Sequence, residues 1–156
     1  MVFELNDLKK VYEDTARNHK LPGFKELNED FEIEKIEKES NYLLRQVRKI
    51  MMEKIVNTMQ FLEMIVNPMN APRMYIPYIK SLGVEDRAGI DRIYGNFADL
   101  VVLSLELEIG CDEKKEAELI NTIFKSWNDS KPALKKIFEN IRKPNNSAKK
   151  ERNYFG

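Results

Sequence analysis

The sequence is poor in the residues that build catalytic and metal centres. It contains one cysteine, Cys111, and one histidine, His19, among 156 residues. A structural zinc site requires about four cysteine or histidine ligands, and the usual di-iron bundle requires Glu-x-x-His pairs, so neither is predicted. A lone cysteine cannot form an intrachain disulfide, which fits a reducing cytoplasm. We predict no catalytic residue, no metal ligand and no cofactor. A non-enzymatic protein is therefore favoured, although this pattern does not exclude an enzyme.

Long apolar runs are also missing. The most apolar stretch, residues 50–66, is interrupted by charged and amide side chains and is shorter than the ~20 apolar residues that cross a bilayer. Residues 1–5 have neither the basic region nor the apolar core of a signal peptide. Gly83, Gly89 and Gly95 lie in helical sequence and form no phosphate-binding loop. We therefore expect a cytoplasmic protein without a membrane segment.

Charge is balanced over the whole chain but not along it. The 26 basic residues equal the 26 acidic ones, yet residues 131–156 have a net charge of +6 and the rest has −6. A basic terminus can bind phosphate backbones regardless of their sequence, so nucleic-acid binding is our second functional hypothesis, with a solvated tail as its alternative. The candidate contacts are Lys135, Lys136, Arg142, Lys143, Lys149, Lys150 and Arg152.

Apolar periodicity predicts an all-α fold. Spacings of three and four residues predict one bundle domain of five to six helices over residues 1–142. A basic, disordered tail is expected at residues 143–156. Residues 103–109 alternate apolar and polar side chains as a strand would, but no second strand-like run exists to pair with them, so a helix is favoured there.

The central element of this bundle is predicted to be one long helix over residues 33–66. The segment contains no proline or glycine, and its first half has a single apolar face. Its second half is apolar on two sides, which is typical of a buried helix. Near the C-terminus two separate helices are predicted, because Asp129 or Ser130 suits an N-cap and Pro132 suits a first turn.

Methionine is concentrated in this region, with six of the seven methionines between residues 51 and 74. Methionine adapts to irregular partner surfaces, although more often it fills gaps in a core. Our leading hypothesis is a helical interaction protein that self-associates or binds a protein partner through this segment. The candidate partner surface is Met51, Met52, Met59 and Met64. A small-molecule or metal-binding bundle with a carboxylate and tyrosine pocket is the third alternative.

Overall fold

The computed structural model describes residues 5–36 and 42–143, and in them the chain is a helical bundle. The α-helices are α1 (Leu5–His19), α2 (Phe24–Phe31), α3 (Leu43–Val66), α4 (Ile76–Lys80), α5 (Val84–Ile109) and α6 (Glu113–Arg142). Short 3₁₀ helices lie at Ile33–Lys35, Pro68–Asn70 and Arg73–Tyr75. No strand occurs among the described residues, so the predicted all-α bundle is confirmed, including the helix at residues 103–109.

Helices α3, α5 and α6 pack against one another and form the core. Each buries apolar residues at spacings of three and four, as the periodicity predicts; on α5 these are Ile90, Ile93, Phe97 and Leu100. Helix α1 contacts α2 and α6, α2 contacts α3, and α4 contacts α6. The three long helices therefore determine the arrangement, and the short ones cover parts of their surfaces.

Helix α3 is shorter than predicted at its N-terminal end. It begins at Leu43 rather than at Ile33. Ile33–Lys35 form a 3₁₀ turn, and the preceding residue, Glu32, has a left-handed φ of 54°. The side-chain oxygen of Asn28 accepts a hydrogen bond from the backbone N–H of Glu34 at 2.9 Å. Such a local bond competes with helical backbone pairing, so the prediction of one helix from residue 33 was wrong.

The segment predicted as two C-terminal helices forms one. Helix α6 continues through Pro132 without a break at residues 128–130. A proline in a helix interior lacks the N–H donor and crowds the preceding turn, which costs about 3 kcal/mol. Burial of Trp127 on one side of Pro132 and of Leu134 on the other offsets that cost, because both side chains need the helix to continue.

A buried arginine joins the three long helices. Arg48 of α3 has only 1% of its side chain exposed. Its Nε and Nη2 atoms donate to the carboxylate of Glu116 on α6 at 2.5 and 3.1 Å. Nη2 also donates to Glu108 on α5 at 2.9 Å, and Nη1 donates to the hydroxyl and carbonyl oxygens of Ser104 at 2.6 and 3.4 Å. These five bonds match the five N–H donors of a guanidinium group, so its charge is fully paired.

A second arginine on α3, Arg45, forms hydrogen bonds at the connection between α5 and α6. Its Nε donates to Glu116 at 3.3 Å, and its Nη2 donates to the carbonyl oxygens of Leu107, at 3.0 Å, and Gly110. Carbonyl groups at a helix C-terminus lack hydrogen-bond donors within the helix, and the guanidinium group of Arg45 is such a donor. At the start of α6 the Asp112 carboxylate caps the helix by accepting from the backbone N–H of residue 115 at 3.2 Å. Each helix end at this connection therefore has terminal backbone groups that are paired by a side chain.

We expect replacement of Glu116 by alanine to destabilise the protein by about 3–5 kcal/mol, because it leaves the buried Arg48 charge without its main partner. Urea unfolding followed by circular dichroism measures this loss. The exposed Glu113, one turn earlier on α6, provides the matched control, and Glu113→Ala should change the free energy of unfolding little. An equal loss in both variants would contradict the assignment. The double variant Arg48→Met/Glu116→Leu should recover much of the loss, since apolar residues can replace a buried ion pair.

Acid should weaken the same cluster through Glu108. Its hydrogen bond from Arg48 holds the pKa of the Glu108 carboxyl below its usual value of 4.5. A lowered folded-state pKa contributes stability above the unfolded value, and that contribution is lost as the pH falls through the folded value. The difference in unfolding free energy between the parent and Glu108→Gln should therefore be constant near neutral pH and shrink below pH 4.5. Urea titrations over that range test it; the exposed Glu118, changed to Gln, is the control.

Candidate interaction surface

The predicted methionine surface is largely covered by the chain itself. Met51 and Met52 are buried in the core. Met59 and Met64 are half-buried. The expectation that these four residues form one exposed surface is corrected for the first two, because the apolar second half of α3 packs against both α5 and α6.

The predicted basic contacts divide between described and undescribed residues. Lys135, Lys136, Arg142 and Lys143 are exposed on or just after the last turns of α6. The remaining candidates, Lys149, Lys150 and Arg152, lie outside the described residues, as does the tail from residue 144 onward. Nucleic-acid binding by this group stays a prediction.

A surface of apolar and small residues, interrupted by one aspartate, runs instead along the side of α5 that faces away from the core. We call it the α5 outer face; its residues are Val84, Ala88, Asp91, Gly95, Ala98, Val102, Leu105 and Ile109. Their spacing alternates strictly between four and three over the whole helix. That is the heptad spacing by which two helices pack along a shared seam. All are exposed except Ala98, which is half-buried.

The most apolar part of the α5 outer face is its C-terminal half. Val102 is 56% exposed, Leu105 61% and Ile109 89%. Neighbouring Leu103 is also exposed, at 43%. A helix that is apolar on all sides is normally buried, and a contiguous exposed apolar patch usually marks a contact with another molecule. This half of α5 therefore has the character of an uncovered interface.

Gly95 lies at the middle of the α5 outer face. A glycine in a helix interior costs about 0.5–1 kcal/mol relative to alanine. A Cβ atom built at Gly95 would have no heavy atom of the described chain within 4 Å, so packing within the chain does not require the glycine. Glycine permits close approach of a second backbone, and the exposed side of Gly95 leaves room for one.

One flank of the α5 outer face has charges of both signs. Arg92 and Asp99 are exposed and lie seven residues apart on the side toward α6. Neither makes an ion pair within residues 5–36 and 42–143. Both remain available to pair with charges on another molecule.

A cleft of about 590 Å³ lies beside this flank, between α5 and α6. Its wall includes Gly89 and Arg92 from α5, and Ser126, Asp129 and Lys136 from α6. The lining mixes acidic and basic groups, so it selects no ligand class by charge. Within the described part of the chain, no group of three or more His, Cys, Asp or Glu side chains is placed to hold a metal ion. Cys111 is exposed.

A second, more apolar cleft lies where α3, α4 and α6 meet; we call it the terminal cleft. Its volume is about 340 Å³. Its apolar wall is Phe61, Met64, Ile65, Ile79 and Ile141, and its polar groups are Tyr75, Tyr78 and Arg142. It thus brings together one residue from the predicted methionine surface and one from the predicted basic group, which are far apart in sequence.

Comparison of the chain with protein-family models, curated proteins and solved structures finds no match. The described helices include none with both the length and the apolar character needed to span a lipid bilayer.

The α5 outer face was missed at the sequence level, although a signal for it was present. Successive residues on a helix are 100° apart, so residues two positions apart point to nearly opposite sides. Once the alternating residues 103–109 are assigned to a helix, their apolar side chains must lie on both sides of it. The other helices of the bundle cover only one side of α5. The leucine and isoleucine side chains on its other side are therefore expected to be exposed.

Proposed function

We propose that this protein is a helical interaction protein that self-associates through the α5 outer face, with a second copy of the same chain as the partner. The observation that carries the proposal is the unbroken heptad spacing from Val84 to Ile109 on the exposed side of a helix. The chain's own core is already complete on the opposite side of α5, so the seam has no role in packing the described bundle.

An antiparallel arrangement fits the distribution of side-chain size along the seam. A two-fold axis passing between residues 96 and 97 places Ile109 opposite Val84 of the second copy, Leu105 opposite Ala88, and Gly95 opposite Ala98. In these three pairs the larger side chain of one copy packs over the smaller one of the other, and the backbones approach most closely at Gly95. The fourth pair places Val102 against Asp91. A parallel pair would place large residues against large ones and leave the N-terminal half of the seam poorly filled.

Charge also favours the antiparallel pair. Flanking residues on the same side face each other in such a pair, so Arg92 of one copy lies within reach of Asp99 of the other, and the contact occurs twice. Glu85 and Glu106 approach each other near the ends, and their repulsion offsets part of this gain. The seam residue Asp91 is separated from its symmetry mate by roughly 16 Å along the axis, beyond the ~8 Å screening length at physiological salt. A parallel pair would bring the two Asp91 carboxylates together.

The expected affinity is moderate. The pair would cover Val102, Leu105 and Ile109 in each copy, and each fully buried side chain of this kind contributes up to about 1.5–3 kcal/mol. Association costs about 4–15 kcal/mol in lost freedom of motion, and covering the Asp91 carboxylate opposite Val102 adds a desolvation cost. Gain and cost are of similar size, so we expect a dimer that dissociates on dilution.

Replacing Leu105 by glutamate should disrupt the dimer, because it removes one of the largest apolar side chains of the seam and adds a further buried charge to that of Asp91. Sedimentation equilibrium over a range of concentrations should show a monomer–dimer mixture for the parent and a monomer for the variant. Val11→Glu is the matched control, since Val11 is an exposed apolar residue on α1, at 41%, and should leave association unchanged. A parent protein that stays monomeric at all concentrations would overturn the proposal.

The two helical glycines of α5 provide a sharper test of the seam. Gly89 and Gly95 both have room for a Cβ atom, but only Gly95 lies on the α5 outer face. Gly95→Glu should therefore prevent association while the monomer remains helical by circular dichroism, whereas Gly89→Glu should associate like the parent. Equal effects of the two substitutions would show that another surface mediates the contact.

A further inference from the structure

The terminal cleft has the composition of a ligand site rather than of an incomplete core. Five apolar side chains from three helices form its wall, and its volume of about 340 Å³ lies within the range of roughly 300–1,000 Å³ found for small-molecule pockets. Phe61 is held in place by a ring contact with Phe138 of α6, with centroids 5.4 Å apart. Phe61, which forms part of the wall, is therefore fixed by its packing against α6.

The polar groups of the cleft are hydrogen-bond donors with one positive charge. Tyr75 and Tyr78 come from the segment that leads into and forms α4, and Arg142 is the last residue of α6. Within the described part of the chain, Arg142 forms no ion pair and neither tyrosine hydroxyl has a hydrogen-bond partner. No aspartate or glutamate lines the cleft, so a ligand carboxylate would meet no like charge.

The dipole of α6 disfavours an anion at this end of the helix, but its effect is weaker than that of the arginine charge. The C-terminus of α6 carries roughly half a negative charge, whereas the guanidinium of Arg142 carries a full positive one, and Lys143 follows it directly. Among the described residues, the one charged group that lines the cleft is therefore positive and can pair with an anion.

We propose that the terminal cleft binds a small organic acid with an apolar chain. The hydrocarbon part would lie against Phe61, Met64 and Ile79, and the carboxylate would accept hydrogen bonds from Arg142 and a tyrosine hydroxyl. A cationic amphiphile of the same length would lack these bonds and would meet the arginine charge. This site is separate from the α5 outer face and does not depend on self-association.

Isothermal titration calorimetry of the full chain with octanoate, with octyltrimethylammonium as the matched cationic probe, tests the proposal. Octanoate should bind and the cation should not. Arg142→Gln should weaken octanoate binding by about ten-fold or more, the usual effect of losing a hydrogen bond to a charged group. Lys135→Gln removes a positive charge from the same helix at a position that does not line the cleft and should leave the affinity unchanged.

A second variant tests the apolar part of the site. Met64→Trp should fill the cleft and abolish octanoate binding while circular dichroism stays that of the parent. Absence of octanoate binding, equal binding of the cationic probe, or equal losses in Arg142→Gln and Lys135→Gln would each overturn the proposal. Undiminished binding by a folded Met64→Trp would overturn it as well, by placing the probe elsewhere.

Discussion

The buried guanidinium of Arg48 is the interaction on which the arrangement of the long helices depends. A charge removed from water costs several kcal/mol unless it is fully paired, and the acceptors that pair it come from both other long helices. Ser104 and Glu108 must lie on the side of α5 that faces α3, and Glu116, near the start of α6, must lie beside the same guanidinium group. Satisfying one buried charge therefore sets the rotation of α5 about its own axis and the position of the corner that follows it.

That rotation also decides which side of α5 faces outward. With Ser104 and Glu108 turned inward, the opposite side of the same turns carries Val102, Leu105 and Ile109, and these side chains are exposed. The exposed seam is thus a consequence of the buried polar cluster. The buried charges of the cluster, Arg48 and Glu116, come from α3 and α6, so the contribution of α5 to it is Ser104 and the partly exposed Glu108 carboxylate.

Several parts of the fold could be predicted from the sequence, and the failures have identifiable causes. Helix identity followed from apolar spacing, because a buried stripe must repeat with the helical period. The start of α3 was misplaced because the bond from Glu34 to the Asn28 side chain competes with helical pairing. The continuity of α6 through Pro132 was missed because the burial that offsets the proline comes from other helices. The prediction of a methionine partner surface was wrong for Met51 for the same reason. This side chain is buried against other helices, and the sequence does not show which helices pack there.

The sequence by itself determined the all-α class, the scarcity of metal-binding and catalytic side chains, and the concentration of positive charge toward the C-terminus. These properties depend on residue type and on spacing within one helix. Only the tertiary structure decided which apolar faces are covered, that Arg48 is paired by two other helices, and that Met64 and Arg142 border one cleft. The reason is geometric: a helix period shows which residues share a face, but the rotation and neighbours of each helix come from contacts between residues distant in the chain.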